Sequence, residues 1–377
     1  MKGPALLQLQ ERLCNVKYLI IDEYSVVGQN LLGWIDKRCR QGTGDIDKPF
    51  GGISIILVGD IAQLPPVGDK VLYHKKPNGE VGTMGYCMYK KFTTIVKLTV
   101  NERSKGNCIE QEAFRNALYR LRNGDSTEED WKLLLTRTSA NVTDIVDKNT
   151  FVKISFSNEK VALDNHEALT GLNVPIAQIN ARHSNKASAR LSSDDMGGLE
   201  PKIFLSIGAR VMLTRNLWIG KGLCNGSMGV VKDIIYQEGD SPPNLPIAVI
   251  VHFDSFYTGP SICEDQSRCI PIIPLTSSSD LHGSSHERQQ LPLRLSWAIT
   301  IHKSQGLTLD KAWIDLGTSE KFIGLAYVAV SRVRKLKDMV IEPMTLERLQ
   351  DVKNRKDFEY REAEERNIKD LADRTTP

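Results

Sequence analysis

The sequence predicts an α/β fold, in which a doubly wound first domain is followed by a second α/β domain that an all-β module interrupts. Three observations carry this. Short apolar runs recur among glycine-rich turns in the first 100 residues, segments with helical spacing follow, and three β-rich runs then lie between residues 203 and 256.

Taken in order, the runs Tyr18 to Ile21 and Ile53 to Val58 end at an acid and at a glycine, and Thr94 to Leu98 follows. Apolar runs of this length read as buried parallel strands. From Cys108 to Arg122, Ile109, Phe114, Ala117, Leu118 and Leu121 recur at helical spacing, and Asn123-Gly124 supplies a stop. A second helix is expected at once, because Thr127 with Asp130, or Ser126 with Glu129, forms a capping-box-like start before Trp131 to Leu135. Ile203 to Leu213, Met228 to Tyr236 and Ile247 to Phe253 then give the β module, broken by the Gly220 to Gly226 and Gly239 to Pro246 turns. Cys263 to Gln290, rich in Ser and Pro, reads as loop. Strand signals resume at Leu293 to Thr300, Ala312 to Leu316 and Met339 to Glu342, with a helix from about Gly324 to Lys335. From Thr345 to Arg374 dense charge of both signs suggests a solvated terminal helix.

The 377 residues are enough for two or three domains. Hydrophobic residues are 41% and charged residues 25%, and no stretch approaches the ~18 apolar residues of a membrane span, so a membrane protein is excluded. The start MKGPALLQLQERLCNVKY lacks a secretory signal, and the seven cysteines include no C-x-x-C pair, so a reducing compartment is expected. Lys+Arg 49 against Asp+Glu 46 leaves a net charge of +3, and bulk charge therefore announces no nucleic-acid binder.

Motifs say more. KYLIIDEYSVVG delivers Asp22 and Glu23 to a strand end, where P-loop hydrolases hold Mg²⁺ and polarise the attacking water. Alone, an Asp-Glu turn is weak evidence. ISIILVGDIAQLPPVGD repeats the strand-then-acid layout, and adds Gln63 and a stiff Pro65-Pro66 that would transmit what an amide near a terminal phosphate detects. LTVNERSKGN places Arg103 after a strand and FIGLAYVAVSRVRKL places Arg332 on a helix, as transition-state arginines would be placed. LPLRLSWAITIHKSQGLTLDKAWIDL runs a strand into His302, Lys303, Ser304, Gln305 and Gly306, donors suited to two anions.

The order DEYS, GDIAQLPPV, NER, GARVMLTRN, NGSMG, ITIHKSQGLTL and AYVAVSR resembles the petite-integration-frequency (Pif-type) DNA helicases, RecD-like members of helicase superfamily 1B, from about residue 10 to about 345. The resemblance implies two RecA-like P-loop NTPase domains, the first truncated, with an inserted SH3-like β module. Domains are then expected at 1–100 and 101–202, the module with its loop at 203–290, the rest of the second domain at 291–345, and a charged helix at 346–377. It also implies ATP and Mg²⁺ as cofactors and 5′ to 3′ translocation on single-stranded or forked DNA, with residence in the nucleus or, in a second form, the mitochondrion. Asp22 and Glu23 match the Mg²⁺ and water-activating pair, Gln63 the γ-phosphate sensor, and Arg103 and Arg332 the two arginine fingers. Gln305 and Gly306 match the nucleotide side of the fifth motif, and His302, Lys303, Ser304 and Thr308 its DNA side.

The family's Walker A loop, G-x-x-x-x-G-K-[ST], is not found: Gly220-Lys221 is followed by Gly222, with Arg215 where the first glycine should stand. A chain that begins after that loop is expected to be inactive alone and to carry an unpaired sheet edge. A non-catalytic strand-binding or assembly protein derived from a helicase is the alternative. A third reading takes Cys263, Cys269, His282 and His286, spaced C-x5-C-x12-H-x3-H, as zinc ligands. The long first spacing, Pro271 and Pro274, and the want of a helix to carry the histidines favour an incidental loop.

Overall fold

The two apolar runs that carry the acidic motifs pair as parallel strands, β1 (Tyr18–Ile21) and β2 (Ser54–Leu57), with Tyr18 opposite Ser54 and Ile21 opposite Leu57. The computed structural model describes residues 3–106, 108–142, 150–254, 259–261, 268–281 and 284–375. The chain divides into two units, one of residues 1–146 with 304–377 and the other of residues 147–303.

The first unit opens with α1 (Pro4–Leu13), α2 (Gln29–Thr43), α3 (Gly79–Tyr89), α4 (Ile109–Asn123) and α5 (Glu128–Leu135). Leu32 and Cys39 of α2 pack with Val27, Phe50, Ile53 and Met88 in one buried cluster. Fully buried Asp36 on the same helix is matched by Arg40 Nε at 2.8 Å and the Phe50 amide at 2.6 Å. The α4 core face holds Phe114, Ala117, Leu118 and Leu121 as its spacing predicts, while Ile109 at its first position is exposed, and Gly124 caps it in the left-handed region. Thr127 and Asp130 form the capping box of α5 reciprocally.

Two expectations fail here. Thr94 to Leu98 is irregular chain with Val96 and Leu98 exposed, and the Ile95 amide and carbonyl are bonded to the Thr375 hydroxyl at 3.1 Å each. β-branched residues supply propensity, but a strand also needs a ladder partner. The burial expected of the first two strands fails as well, since Tyr18, Ile20, Ile56 and Val58 are exposed; among the described residues β1 and β2 pair only with each other.

The second unit contains β3 (Val152–Ser155), α6 (Asn158–Thr170), β4 (Ala177–Asn180), β5 (Arg182–His183), β6 (Lys202–Leu205), β7 (Arg210–Leu213), β8 (Met228–Ile235), β9 (Ala248–Phe253), β10 (Cys269–Ile272), β11 (Leu275–Leu281), β12 (Ser284–Gln290), β13 (Leu293–Leu295) and β14 (Ala298–Thr300). Helix α7 (Ile301–Ser304) holds the division between the units. Strands β7 to β10 and β13 form a five-stranded antiparallel sheet in the order β10-β9-β8-β7-β13. Its inner face, with Val211, Leu213, Val231, Val249, Val251 and Leu293, anchors the core of the unit.

The run 203–213 is two strands in two sheets, because Gly208 turns the chain with φ 85 between β6 and β7. The run 293–300 is likewise divided between β13 and β14. The expected loop to Gln290 contains a hairpin instead, with Leu275 opposite Gln290 and Leu281 opposite Ser284. Its buried positions are polar, His286, Arg288 and Gln290, so apolar alternation could not reveal it.

Returning to the first unit, β15 (Ala312–Asp315) and β16 (Met339–Ile341) pair in parallel, with α8 (Leu325–Val330) between them in sequence. Helix α8 stops short of Lys335 because Ser331 Oγ and Arg332 Nε take the Val328 carbonyl at 3.1 and 2.6 Å. The chain ends in α9 (Leu346–Gln350) and α10 (Phe358–Thr375). Helix α10 is docked rather than merely solvated: Phe358, Arg361, Glu364 and Ala372 are buried, and Tyr89 Oη donates to Glu364 Oε1 at 2.7 Å.

Candidate functional site

Strand β1 leads into Asp22, whose exposed carboxylate accepts the Glu23 amide at 2.8 Å while Glu23 turns into the left-handed region with φ 51. That turn sets Glu23 against a segment far away in sequence. Gln305 Nε2 donates to Glu23 Oε2 at 2.9 Å and to Ser25 Oγ at 3.3 Å. Gly306 follows with φ 78, and a Cβ there would stand 3.7 Å from Glu23 Oε1.

Strand β2 delivers Gly59-Asp60 alongside, the Tyr24 amide donating to the Val58 carbonyl at 3.0 Å. Asp60 is a hub. Arg122 Nη2 reaches Asp60 Oδ1 at 2.7 Å and Glu365 Oε1 at 2.7 Å. Burial opposes the Arg122 charge, but these hydrogen bonds and the charges of Asp60 and Glu365 raise its pKa on balance. Burial, and next the charge of Asp60, push the Tyr327 hydroxyl up to about 12. Gln63 starts from the Asp60 carbonyl, its amide at 3.0 Å, and its Oε1 is buried with no hydrogen-bond partner among the described residues. Gly324, before α8, lies so close that a Cβ would meet the Ala62 carbonyl at 2.2 Å.

Arg103 Nε donates to Thr308 Oγ1 at 2.9 Å and Nη1 to the Ser331 carbonyl at 3.2 Å. Arg332, 2% exposed, donates to the carbonyls of Val328, Ser304 and Leu307 and to Ser331 Oγ. Burial draws the Arg332 pKa down to about 10, with the Arg103 charge adding to the effect and Tyr327 and Glu23 opposing it. Burial lowers Arg103 too, against Tyr327 and Glu23. Glu23, Arg103, Arg332, Gln305 and Gly306 thus share one neighbourhood of the first unit.

The residues expected to face DNA divide. Lys303 is exposed and lies 3.2 Å from Asp194 Oδ1, and His302 is half-buried, its pKa lowered first by burial and then by Lys303. Ser304 departs from the expectation, since it is 0% exposed and so offers no hydroxyl to a strand in this conformation. Thr308 is exposed but already accepts from Arg103, which ties it to the neighbourhood of Glu23 and Gln305. Of the four zinc candidates, Cys263 and His282 lie outside the described residues, while Cys269 and His286 are buried on strands of two different sheets. Among the described residues no three His, Cys, Asp or Glu groups could jointly hold a metal, and no helix is long and apolar enough to cross a membrane.

Mg²⁺ prefers oxygen ligands and is commonly held by one or two carboxylates, with water and phosphate oxygens completing the shell. An exposed Asp22 at a strand end with Glu23 beside it fits that donor chemistry. Sequence reasoning missed Ser25, Arg122 and Tyr327, because no local spacing links them to Glu23 or Asp60.

Residues 6–132 match the family model described as PIF1-like helicase, and residues 200–234 match that of the DNA helicase Pif1 2B domain. The human ATP-dependent DNA helicase PIF1 is 30% identical over 339 residues, 88% of this chain and 47% of that protein. The Danio rerio ATP-dependent DNA helicase PIF1 is 32% identical over 343 residues, 89% of this chain and 48% of that protein. The chain therefore spans about half the length of the curated relatives it matches. Among solved structures, Pif1 helicase from Candida albicans superposes with a TM-score of 0.72 at 22% identity, covering 96% of this chain and 78% of that one. Bacteroides Pif1 bound to ssDNA gives 0.62 at 25% identity, covering 90% and 74%. The fold held in common is the RecA-like α/β fold.

Proposed function

Because the chain belongs to the PIF1-like helicase family, we propose that it is the nucleotide- and strand-handling part of an ATP-dependent DNA helicase that moves 5′ to 3′ along single-stranded DNA. The observation that carries this is the 2.9 Å bond between Gln305 and Glu23, which joins two motifs 282 residues apart. A glutamine held on the water-activating carboxylate gives the strand-side segment a direct hold on hydrolysis.

In this reading Asp22 holds Mg²⁺, which supplies charge neutralisation at the phosphates of ATP when bound. Glu23 orients the attacking water, and Gln63 senses the terminal phosphate by donating its side-chain amide N–H. Arg103 stabilises charge developing on the transferred group, and Arg332 would join it once released from the carbonyls that now take its donors. Lys303 and His302 contact the strand, and the five-stranded sheet serves as the SH3-like module that grips it. Nuclear work on single-stranded or forked DNA completes the proposal.

A labelled oligothymidylate titrated at several salt concentrations tests the strand half. Affinity should fall steeply with salt, and Lys303→Ala should lower the salt slope by roughly one phosphate's worth. A flat titration overturns it. In a version with a Walker A loop restored, DNA-stimulated phosphate release tests the other half: Glu23→Gln should cut it about 10²- to 10⁴-fold, and full turnover in that variant removes Glu23 from water activation.

A further inference from the structure

A cleft of about 620 Å³ lies within the second unit among α6, β6, β13 and β14. Apolar Val161, Leu169 and Leu205 line it, together with the cations Lys202, Arg294 and Lys303. Two of those cations are already matched by acids from a single stretch of chain: Lys303 by Asp194 at 3.2 Å and Arg294 by Glu200.

That stretch is firmly held. Arg288, 0% exposed, donates to the carbonyls of Ser188, Leu191, Ser192 and Leu199, and Met196 and Leu199 are fully buried. The backbone therefore presents the Asp194 carboxylate, 78% exposed, from a fixed position. Its neighbour Asp195 is engaged differently, accepting from Ser192 Oγ at 2.7 Å.

We propose that Asp194 and Glu200 are resident stand-ins for strand phosphates, holding Lys303 and Arg294 at the cleft and yielding them when a phosphodiester arrives. The inference rests on the reading of Lys303 as a strand contact. A cation that passes from carboxylate to phosphate and back is never left bare. Each contact can then be broken at small cost, as a protein stepping along a strand requires. The exchange also lowers resting affinity, because the strand must displace an anion as well as bind a cation.

The experiment measures equilibrium binding and dissociation rate of a labelled oligothymidylate on the full chain, for wild type, Asp194→Asn, Asp195→Asn, Lys303→Ala and Asp194→Asn/Lys303→Ala. Asp194→Asn should tighten binding about threefold, mainly by slower dissociation, the scale of an exposed ion pair. Asp195→Asn removes the same charge one residue away and should change affinity far less. In the Lys303→Ala background, Asp194→Asn should have almost no effect. Equal tightening by both asparagine variants, or tightening that survives the loss of Lys303, reduces the effect to bulk charge and overturns the proposal. Weakening by Lys303→Ala with no response to Asp194→Asn overturns it while the strand-binding reading stands. Failure of every protein to bind removes both.

Discussion

Arg332 commits its guanidinium to three carbonyls and a hydroxyl at 2% exposure, whereas Arg103 makes two bonds from a half-buried position. Arg332→Ala should therefore lower the unfolding free energy by about 2–4 kcal/mol, since buried carbonyls lose their donors. Arg103→Ala should cost about 1 kcal/mol or less. Urea denaturation of the two variants checks this, and equal losses would show that burial does not separate them. The two arginines look alike in the sequence, each a basic residue near the end of a predicted element. Thr308 shows the same limit from the other side: placed by its string with the DNA-facing residues, it is bonded to Arg103. Strings identify chemistry residue by residue, but the partner of a side chain depends on segments such strings do not describe.

At the scale of elements, Arg288 of β12 donates to four carbonyls of the 188–200 stretch, and Arg288→Met should cost about 3–5 kcal/mol, the penalty for breaking a buried polar hub. Hydrogen exchange should speed up across 188–200 and in the β11–β12 hairpin. Unchanged protection there would mean that Met196 and Leu199 suffice. This hairpin was illegible because its inward positions are His286, Arg288 and Gln290, the reverse of the alternation by which strands are found. Helix α5 was legible to its first residue, because a capping box states its geometry in two side chains, Thr127 and Asp130. The run 94–98 misled for the opposite reason: β-branched content describes a residue's preference, while a strand is a property of its neighbours.

Across the whole molecule, acid should act on the two units differently. His183, His252 and His302 all lie in the second unit, and burial lowers each below its ordinary 6.5, aided by Arg288 at His183, by Arg268 and Lys232 at His252 and by Lys303 at His302. Groups with depressed folded values favour the neutral form. Their stabilisation is complete above 6.5 and is lost as pH falls through the folded values. In the first unit, burial raises Glu320 against the opposing Arg348 charge, and raises Asp338, so those two acids gain stability as pH falls. A thermal scan between pH 7 and pH 5, read by exchange in each unit, should show the second unit weakening first, and His183→Gln with His302→Gln should flatten its dependence. Simultaneous loss in both units would refute this. The β1–β2 pair has a consequence of another kind. Parallel strands are normally covered on both faces, yet here Tyr18, Ile20, Ile56 and Val58 meet solvent. Extended apolar surface of that sort is what the cell's triage of incompletely folded chains acts on. A surface laid over those four side chains would hide from such triage the same two strands that lead into Asp22 and Asp60.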